Sequence, residues 1–130
     1  MKAYLSIFLF LSANIQANPL DEMFDAYQQS GVRTIDSEQG KSLWNEAFIT
    51  EKSKDKERSC ANCHGSDVTK KGEHLRTGKV IEPMAKSVNA KRYTNTKKIK
   101  KWFKRNCKWT LGRECSAQEQ ADILKYLITQ

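Results

Sequence analysis

Long apolar stretches, strand-like alternation and histidine are all scarce in this sequence. Hydrophobic residues make up 38% of the 130 positions and the mean hydropathy is −0.72, which excludes a polytopic membrane protein. No internal repeat and no convincing strand pattern is visible, so the expected fold class is mainly α. The chain has only two histidines, which leaves no acid–base pair to name for an enzyme. Three Trp, four Tyr and five Phe are enough to build a small core and argue against a fully disordered chain.

The longest apolar stretch lies at the N-terminus. Met1 and Lys2 form a short basic region, residues 3–13 are almost wholly apolar, and Ala17 is a small residue suited to cleavage. This pattern predicts a secretory signal peptide over residues 1–17, since the apolar run is too short to span a bilayer. An uncleaved anchor or a buried helix is the alternative. Residues 18–130 are expected to form one periplasmic domain without stable membrane insertion.

Capping residues and apolar spacing predict helices at both ends of this domain. Asn18–Pro19 begins the first helix, which Gly31 ends, and Asp36 caps a second helix whose apolar face extends from Gly40 to Phe48. A third helix is expected to be capped by Thr96 and to end at Cys107. Together with the loop-rich residues 66–95, these features predict a small, mainly α fold with long loops.

The last helix has a stronger start signal. Ser116 followed by Glu119 three residues later is a capping box, and apolar residues then recur at helical spacing. This helix is expected to supply the C-terminal part of the core.

The segment Cys60–His64 has the sequence CANCH, which is the CxxCH attachment signature of c-type haem. Two thiols on one turn reach both vinyl groups of a single haem, and the His64 imidazole then faces the iron as its proximal ligand. A zinc site would need a second, similarly spaced Cys pair, and a thioredoxin-like CxxC would need a βαβ unit. The sequence has neither. The predicted cofactor is one covalent haem c, with Cys60 and Cys63 as its thioether cysteines.

The other two cysteines, Cys107 and Cys115, do not repeat this short spacing. In an exported protein the expected state of such a pair is a disulfide rather than two free thiols. The loop-entropy argument predicts that a bridge of this length stabilises the fold by roughly 2–3 kcal/mol.

The residue on the far side of the iron decides the function. A strong second ligand makes an electron carrier, whereas a displaceable one opens the iron to small molecules. Met84, which lies in a loop, is the usual kind of ligand. Asn106 is the less usual choice, since it places an amide on the otherwise apolar face of the third helix. His74, a lysine and an open iron are further alternatives, and the residues by themselves do not decide among them.

A series of short blocks between Ser59 and Leu127 forms a more specific pattern than CxxCH. In chain order they are CANCHGSDVT, RTGKVIEPMA, KRYT, KWFKRNC, GREC and AQEQADILKYL. The blocks and their order resemble the sphaeroides haem protein family of monohaem, class I-like c-type cytochromes. The segment around Glu73–Leu75 departs from the family pattern, and it contains His74.

This resemblance implies a cytochrome c-like fold in which Asn106, rather than Met84, is the distal iron ligand, bound through its side chain. It implies that Cys107 and Cys115 form a disulfide beside this ligand. It also implies that the Asn leaves the iron on reduction, so that oxygen or nitric oxide can bind. An amide oxygen is a hard, weak donor that suits ferric better than ferrous iron. The implied electron donors are a dihaem cytochrome c and a membrane cytochrome b.

The chain has 23 Lys and Arg against 15 Asp and Glu, a formal net charge of +8, and much of the excess lies in residues 97–105. No nucleic-acid motif is present, so nucleic acid is not an expected partner. The basic helix is either a solvated face or a docking surface for an acidic redox partner, in which case electron transfer slows at high salt.

The predicted function is therefore electron transfer with redox-gated binding of a diatomic ligand. One alternative is a plain electron carrier with Met84 on the iron. The other is an enzyme acting on nitric oxide, oxygen or hydroxylamine, which we expect less than a binding protein.

Overall fold

The computed structural model describes residues 17–130, so the predicted signal peptide lies outside the described residues except for Ala17. The helices are α1 (Pro19–Gln29), α2 (Ser37–Asn45), α3 (Ala61–His64), α4 (Thr96–Thr110) and α5 (Ala117–Thr129). A 3₁₀ turn at Glu51–Ser53 and a two-residue antiparallel ladder, β1 (Gly72–Glu73) with β2 (Val80–Ile81), complete the regular structure of this part of the chain. The prediction of a small, mainly α domain with long loops is confirmed. No helix within residues 17–130 is both long and apolar enough to cross a membrane.

The predicted starts of α1 and α2 are confirmed. The Asn18 side chain accepts a hydrogen bond from the Leu20 N–H at 3.1 Å, and Pro19 occupies the first turn. Asp36 accepts from two N–H groups in the first turn of α2. The chain leaves α1 at Gly31, whose φ of +97° is a left-handed conformation that glycine adopts at little cost.

The prediction that the face of α2 extends to Phe48 is wrong. The helix ends at Asn45 because the backbone becomes extended at Glu46. Phe48 instead exchanges two backbone hydrogen bonds of 2.9 Å with Arg58 in an isolated antiparallel bridge. This bridge closes the charged connector that precedes the CxxCH segment.

Helix α4 differs from the prediction at both ends. Its N-cap is Asn95, whose side chain accepts from the Lys98 N–H at 2.9 Å, whereas the Thr96 hydroxyl donates to Glu22 at 2.6 Å. The helix also continues beyond Cys107 to Thr110. Asn106 is therefore one turn inside the helix rather than at its end.

Helix α5 forms the centre of the core and packs closely against α2. A Cβ added to Gly40 would lie 2.0 Å from the carbonyl oxygen of Asp122, so only glycine allows this approach. The buried Asp122 carboxylate accepts from the Asp36 N–H at 2.8 Å, which ties the start of α2 to α5. The predicted capping box of Ser116 and Glu119 is confirmed at the start of α5.

The buried residues form two clusters. The first joins α1, α4 and α5. The second, which we call the site cluster, consists of Trp44, Val68, Ala85, Ile123, Tyr126 and Leu127. Cys60, Ala61, Met84 and Phe103 are partly buried and pack against the site cluster. The CxxCH segment therefore rests directly on the hydrophobic core.

Candidate haem site

The two thiols of the CxxCH segment belong to Cys60, the N-cap residue of α3, and to Cys63 within its single turn. All four cysteines are among the described residues, and Cys60 and Cys63 are the two that form no disulfide. Burial raises the pKa of the Cys60 thiol to about 11, and a polar contact with the buried Thr110 hydroxyl opposes this only in part. Cys60 is therefore a neutral thiol near pH 7, held between the site cluster and the end of α4.

His64 presents a neutral imidazole. Burial, with a smaller contribution from the positive charge of Arg92, lowers the pKa of His64 to about 4. Its Nδ1 atom is buried and has no hydrogen-bond partner within residues 17–130. The ring lies against Trp44, with 5.4 Å between the ring centroids. A neutral imidazole is the form that ligates a metal.

The surroundings of Cys63 also fit an apolar cofactor. A cavity of about 500 Å³ opens beside Cys63, between α3 and the β ladder. Leu75 and Val80 line this cavity and are 63% and 54% exposed to solvent. Of the two thiols and the imidazole, Cys63 is the one that lines this cavity, and Leu75 and Val80 beside it are apolar surface that a covalently attached haem would cover.

The backbone around α3 is held tightly. The Trp44 indole N–H donates to the Gly65 carbonyl oxygen at 3.0 Å. A Cβ added to Gly72 would lie 2.1 Å from the Cys63 carbonyl oxygen and 2.7 Å from the His64 Cα. Gly72 therefore lets β1 pack directly on the CxxCH turn. The sequence marks this glycine only as a loop residue, since its role depends on a contact with another segment.

Asn106 lies on the buried side of α4. Ile99, Phe103, Asn106 and Thr110 share one face of the helix, because residues three or four apart are neighbours there. Phe103 packs against the site cluster, and Thr110 contacts the Cys60 thiol. The partly buried Asn106 is between them along this face. The structure thus places the Asn106 amide on the side of α4 that faces the CxxCH segment.

Cys107 follows Asn106 directly and joins α4 to α5. Its sulfur lies 1.97 Å from the sulfur of Cys115, and their Cα atoms are 5.5 Å apart. The Cys115 carbonyl oxygen accepts from the Gln120 amide at 2.9 Å. The end of the helix that carries Asn106 is therefore tied to the start of α5.

The other candidate ligands occupy different surroundings. Met84 is partly buried against the site cluster, as Cys60 is, and its N–H donates to the Val68 carbonyl oxygen at 2.9 Å. His74 is exposed in a loop, where its Nδ1 accepts from two N–H groups of its own turn at 3.3 Å. Met84 and Asn106 are therefore partly buried, whereas His74 is exposed although it follows β1, the strand that packs on the CxxCH turn.

Arg92 and Tyr93 hold the loop that carries Met84. Motif spacing in the sequence does not predict these contacts. Arg92 donates to the carbonyl oxygens of Glu82 and Pro83 at 2.6 and 2.7 Å. Tyr93 donates to the Met84 carbonyl oxygen at 2.6 Å. We call these three hydrogen bonds the loop clamp. In the sequence, the loop clamp corresponds to the KRYT block. This block is part of the family resemblance, but its residues do not form a motif of known chemistry.

Comparison with known proteins supports the same kind of site. A family model described as "Domain of unknown function (DUF1924)" matches residues 30–127. The cytochrome c-type protein SHP of Cereibacter sphaeroides is 35% identical over 131 aligned residues, covering 95% of this chain and 98% of SHP. The matches therefore include nearly all of the described domain.

Solved structures show the same fold. The structure of oxidised SHP, described as an oxygen-binding cytochrome c, is 34% identical with a TM-score of 0.75 and covers 86% of this chain and 96% of its own. The solution structure of Methylophilus methylotrophus cytochrome c″, described in connection with haem-ligand detachment, is 31% identical with a TM-score of 0.74 and covers 85% and 92%. From its sequence, its fold and its CxxCH site, the chain belongs to the family of small c-type cytochromes with one covalently bound haem c that includes SHP.

Proposed function

We propose that this protein is a periplasmic electron-transfer cytochrome that binds a diatomic gas, oxygen or nitric oxide, only when it is reduced. The observation that carries the proposal is the place of Asn106, on the face of α4 between Phe103 and Thr110, where Thr110 contacts Cys60. When bound, the haem would supply one-electron redox chemistry and an iron that is able to bind a small molecule. The residues of the chain would decide whether the iron is open to that molecule.

The haem-binding cysteines, His64 and Asn106 each have a separate role in this proposal. Cys60 and Cys63, which form no disulfide, would hold the haem through thioether bonds, and the neutral His64 imidazole would ligate its iron. In the oxidised protein the Asn106 amide oxygen would be the second protein ligand of the iron. A hard oxygen donor binds ferric iron better than ferrous iron, so this ligand would be released on reduction. The disulfide between Cys107 and Cys115 fixes the helix turn from which Asn106 moves.

The related proteins support this gate without deciding it for this chain. SHP is described as an oxygen-binding cytochrome c, and cytochrome c″ is described in connection with haem-ligand detachment. A distal ligand that detaches would explain how a c-type cytochrome binds oxygen at an iron that is closed in its other oxidation state.

A plain electron carrier is the second candidate function. It is favoured by the position of Met84, which packs against the same cluster as Cys60. Methionine binds ferrous iron firmly, so this arrangement would leave no open site in the reduced protein.

Ligand-binding kinetics of three variants separate these functions. Asn106→Ala should make cyanide bind the oxidised protein at least about tenfold faster, because about 1.4 kcal/mol of distal bonding is lost. Carbon monoxide binding to the reduced protein should stay unchanged. Met84→Leu, and the surface control Asn45→Ala in α2, should change neither rate. If Met84→Leu alone opens the reduced protein to carbon monoxide, the plain carrier is correct.

The proposed electron donor is another exported cytochrome, namely a dihaem cytochrome c that works with a membrane cytochrome b. Export itself is tested by expressing the full chain in a bacterium that loads haem c and measuring the mass of the periplasmic product. A mature chain beginning at Asn18 and carrying one haem supports the proposal. A haem-free chain that keeps residues 1–17 contradicts it.

A further inference from the structure

The surface of α4 that faces solvent is strongly basic and displays two tryptophans. The helix contains no Asp or Glu, and its basic residues are Lys97, Lys98, Lys100, Lys101, Lys104, Arg105 and Lys108. Trp102 is 52% exposed and Trp109 is 40% exposed. Tryptophan is enriched at protein interfaces relative to the rest of the protein surface.

Four of these side chains lie in one row. Lys98, Trp102, Arg105 and Trp109 follow the spacing of neighbours along a helix face, and we call this row the tryptophan stripe. The Arg105 guanidinium lies 5.1 Å from the Trp102 ring centroid. Arg58 lies 4.5 Å from the Trp109 ring centroid and donates to the Trp109 carbonyl oxygen at 3.0 Å. Trp109 is thus covered in part by Arg58 of the connector, whereas Trp102 is contacted by Arg105 of its own helix and is the more exposed of the two.

The positive charge of the stripe and of the adjacent Lys101 forms no ion pair within the described residues. Within residues 17–130, the ion pairs of α4 join Glu114 to Lys104 at 4.0 Å and to Lys108 at 3.1 Å. The described residues form no ion pair with Lys98, Lys101 or Arg105. The charge around Trp102 is therefore available to a binding partner.

We propose that the tryptophan stripe is the docking surface for an acidic face of the redox partner protein, with Trp102 at its centre. The inference rests on the proposed electron-transfer function. Tryptophan and arginine dominate the energetics of protein interfaces, and complementary charge accelerates encounter. Arg105 directly precedes Asn106, so a partner on the stripe is about one helix diameter, roughly 10–12 Å, from the side of α4 that faces the haem segment.

An anionic membrane fits this surface less well. A helix that lies on a membrane inserts a free apolar face into the lipid. In α4 that face is occupied, because Ile99 and Phe103 pack into the core. A second copy of this chain is another possible occupant, since α1 carries Asp21, Glu22 and Asp25 and no basic residue.

The test measures reduction of the ferric haem protein by photoreduced flavodoxin, a small acidic redox protein. One electron leaves the reduced flavin and converts the ferric iron to ferrous iron. The second-order rate should fall about tenfold as salt screens the interaction. We call two variants the stripe variants: Trp102→Ala, and the double variant Lys98→Glu with Lys101→Glu, which reverses one stripe residue and the lysine beside it. Each should slow this reaction about fivefold or more at low salt. Lys98→Glu places the negative charge in the first turn of α4, where it stabilises a helix.

Two controls make the result specific. Photoreduced lumiflavin, which is small and uncharged, should reduce every variant at the wild-type rate. The double variant Lys41→Glu with Lys125→Glu makes the same change in net charge on α2 and α5, and its flavodoxin rate should stay within about twofold of wild type. If this control is slowed as much as the stripe variants, net charge rather than the stripe governs encounter and the proposal is wrong.

The remaining outcomes also decide the question. Binding of the stripe to phosphatidylglycerol vesicles, or a wild-type dimer in sedimentation that Trp102→Ala dissociates, would assign the stripe to lipid or to a second copy and overturn the proposal. A wild-type protein that lumiflavin reduces but flavodoxin does not overturns the docking surface alone. A haem that neither reductant reduces overturns the proposed function, and the docking surface with it.

Discussion

Tyr93 donates a hydrogen bond of 2.6 Å to the carbonyl oxygen of Met84. Tyr93 has a φ of +61°, a left-handed conformation that is uncommon for a bulky residue. Such a conformation persists only where the surrounding structure holds it. The adjacent Arg92 donates to the carbonyl oxygens of Glu82 and Pro83, the two residues before Met84. The loop clamp thus fixes the backbone of the residue that is the alternative ligand for the iron.

Removing the Tyr93 hydroxyl should destabilise the protein and free the Met84 loop. For Tyr93→Phe we expect a loss of about 0.5–1.5 kcal/mol in the free energy of unfolding, because a partly buried carbonyl loses its donor. Guanidinium unfolding measures this loss. The matched control is Tyr126→Phe, whose hydroxyl makes a longer bond of 3.3 Å to Ser66 and should cost less. Equal losses would contradict a special role for the clamp.

Gly72 should be essential at the CxxCH turn. In Gly72→Ala the new methyl group meets the Cys63 carbonyl oxygen, so β1 must move away from α3. We expect a loss of about 1–3 kcal/mol from overpacking and a lower yield of haem-loaded protein. The yield is measured from the haem absorbance per polypeptide.

The matched control for this glycine is Gly78→Ala in the same hairpin. Gly78 has a φ of +65°, but the added methyl group would meet only the flexible Glu73 side chain, at 3.8 Å. It should cost about 1–2 kcal/mol through its left-handed backbone and leave the haem yield unchanged. A normal haem yield in Gly72→Ala would show that the close packing is not needed for attachment.

Local signals are sufficient to predict three of the helix starts. Asn18, Asp36 and Ser116 are each followed by helical periodicity, and their caps involve only residues two or three positions away. The start of α4 was assigned one residue late because Asn95 and Thr96 are both able to cap a helix. The choice between them depends on Glu22 of α1, which accepts a hydrogen bond from the Thr96 hydroxyl.

Contacts between distant segments could not be predicted in the same way. CxxCH identifies Cys60, Cys63 and His64, since their chemistry depends on local spacing alone. The roles of Gly72 and Tyr93 depend on which backbone atoms meet in the folded chain. The place of Asn106 on the buried face of α4 follows from helical spacing. The contact between Thr110, on the same face, and Cys60 is seen only in the tertiary structure.

The capping box of α5 should make stability depend on pH in acid. Arg113 donates two hydrogen bonds to Glu119, at 2.6 and 2.8 Å, and these bonds, with that of the Ser116 N–H, hold the pKa of Glu119 below its ordinary value of 4.5. Because the folded-state pKa is the lower one, this stabilisation is fully present above pH 4.5 and is lost as the pH falls below it.

The variant Glu119→Gln tests this dependence. It should lower the free energy of unfolding by about 1 kcal/mol at pH 7, and the difference from wild type should shrink below pH 4.5. Thermal unfolding between pH 7 and pH 3 measures the difference. Glu114→Gln, at a solvent-exposed ion pair with Lys108, should have a smaller effect at every pH. A constant difference for Glu119→Gln across this range would contradict the assignment.

The link between α4 and α5 should contribute substantially to stability. Replacing both Cys107 and Cys115 by Ser should lower the free energy of unfolding by roughly 2–3 kcal/mol, because the unfolded chain is no longer closed into a loop. Chemical unfolding of the variant, and of the wild type with a reductant, should give the same loss. If neither treatment changes the midpoint, the two residues do not constrain the chain in solution.

The most direct test of the proposed function is the absorption spectrum of the haem-loaded protein, oxidised and reduced, with and without carbon monoxide. Withdrawal of Asn106 predicts a high-spin reduced spectrum that shifts as soon as the gas is added. A low-spin reduced spectrum that does not respond to the gas, with the near-infrared charge-transfer band of methionine ligation in the oxidised protein, would contradict the gate. That result would assign Met84 to the iron and make the protein a plain electron carrier.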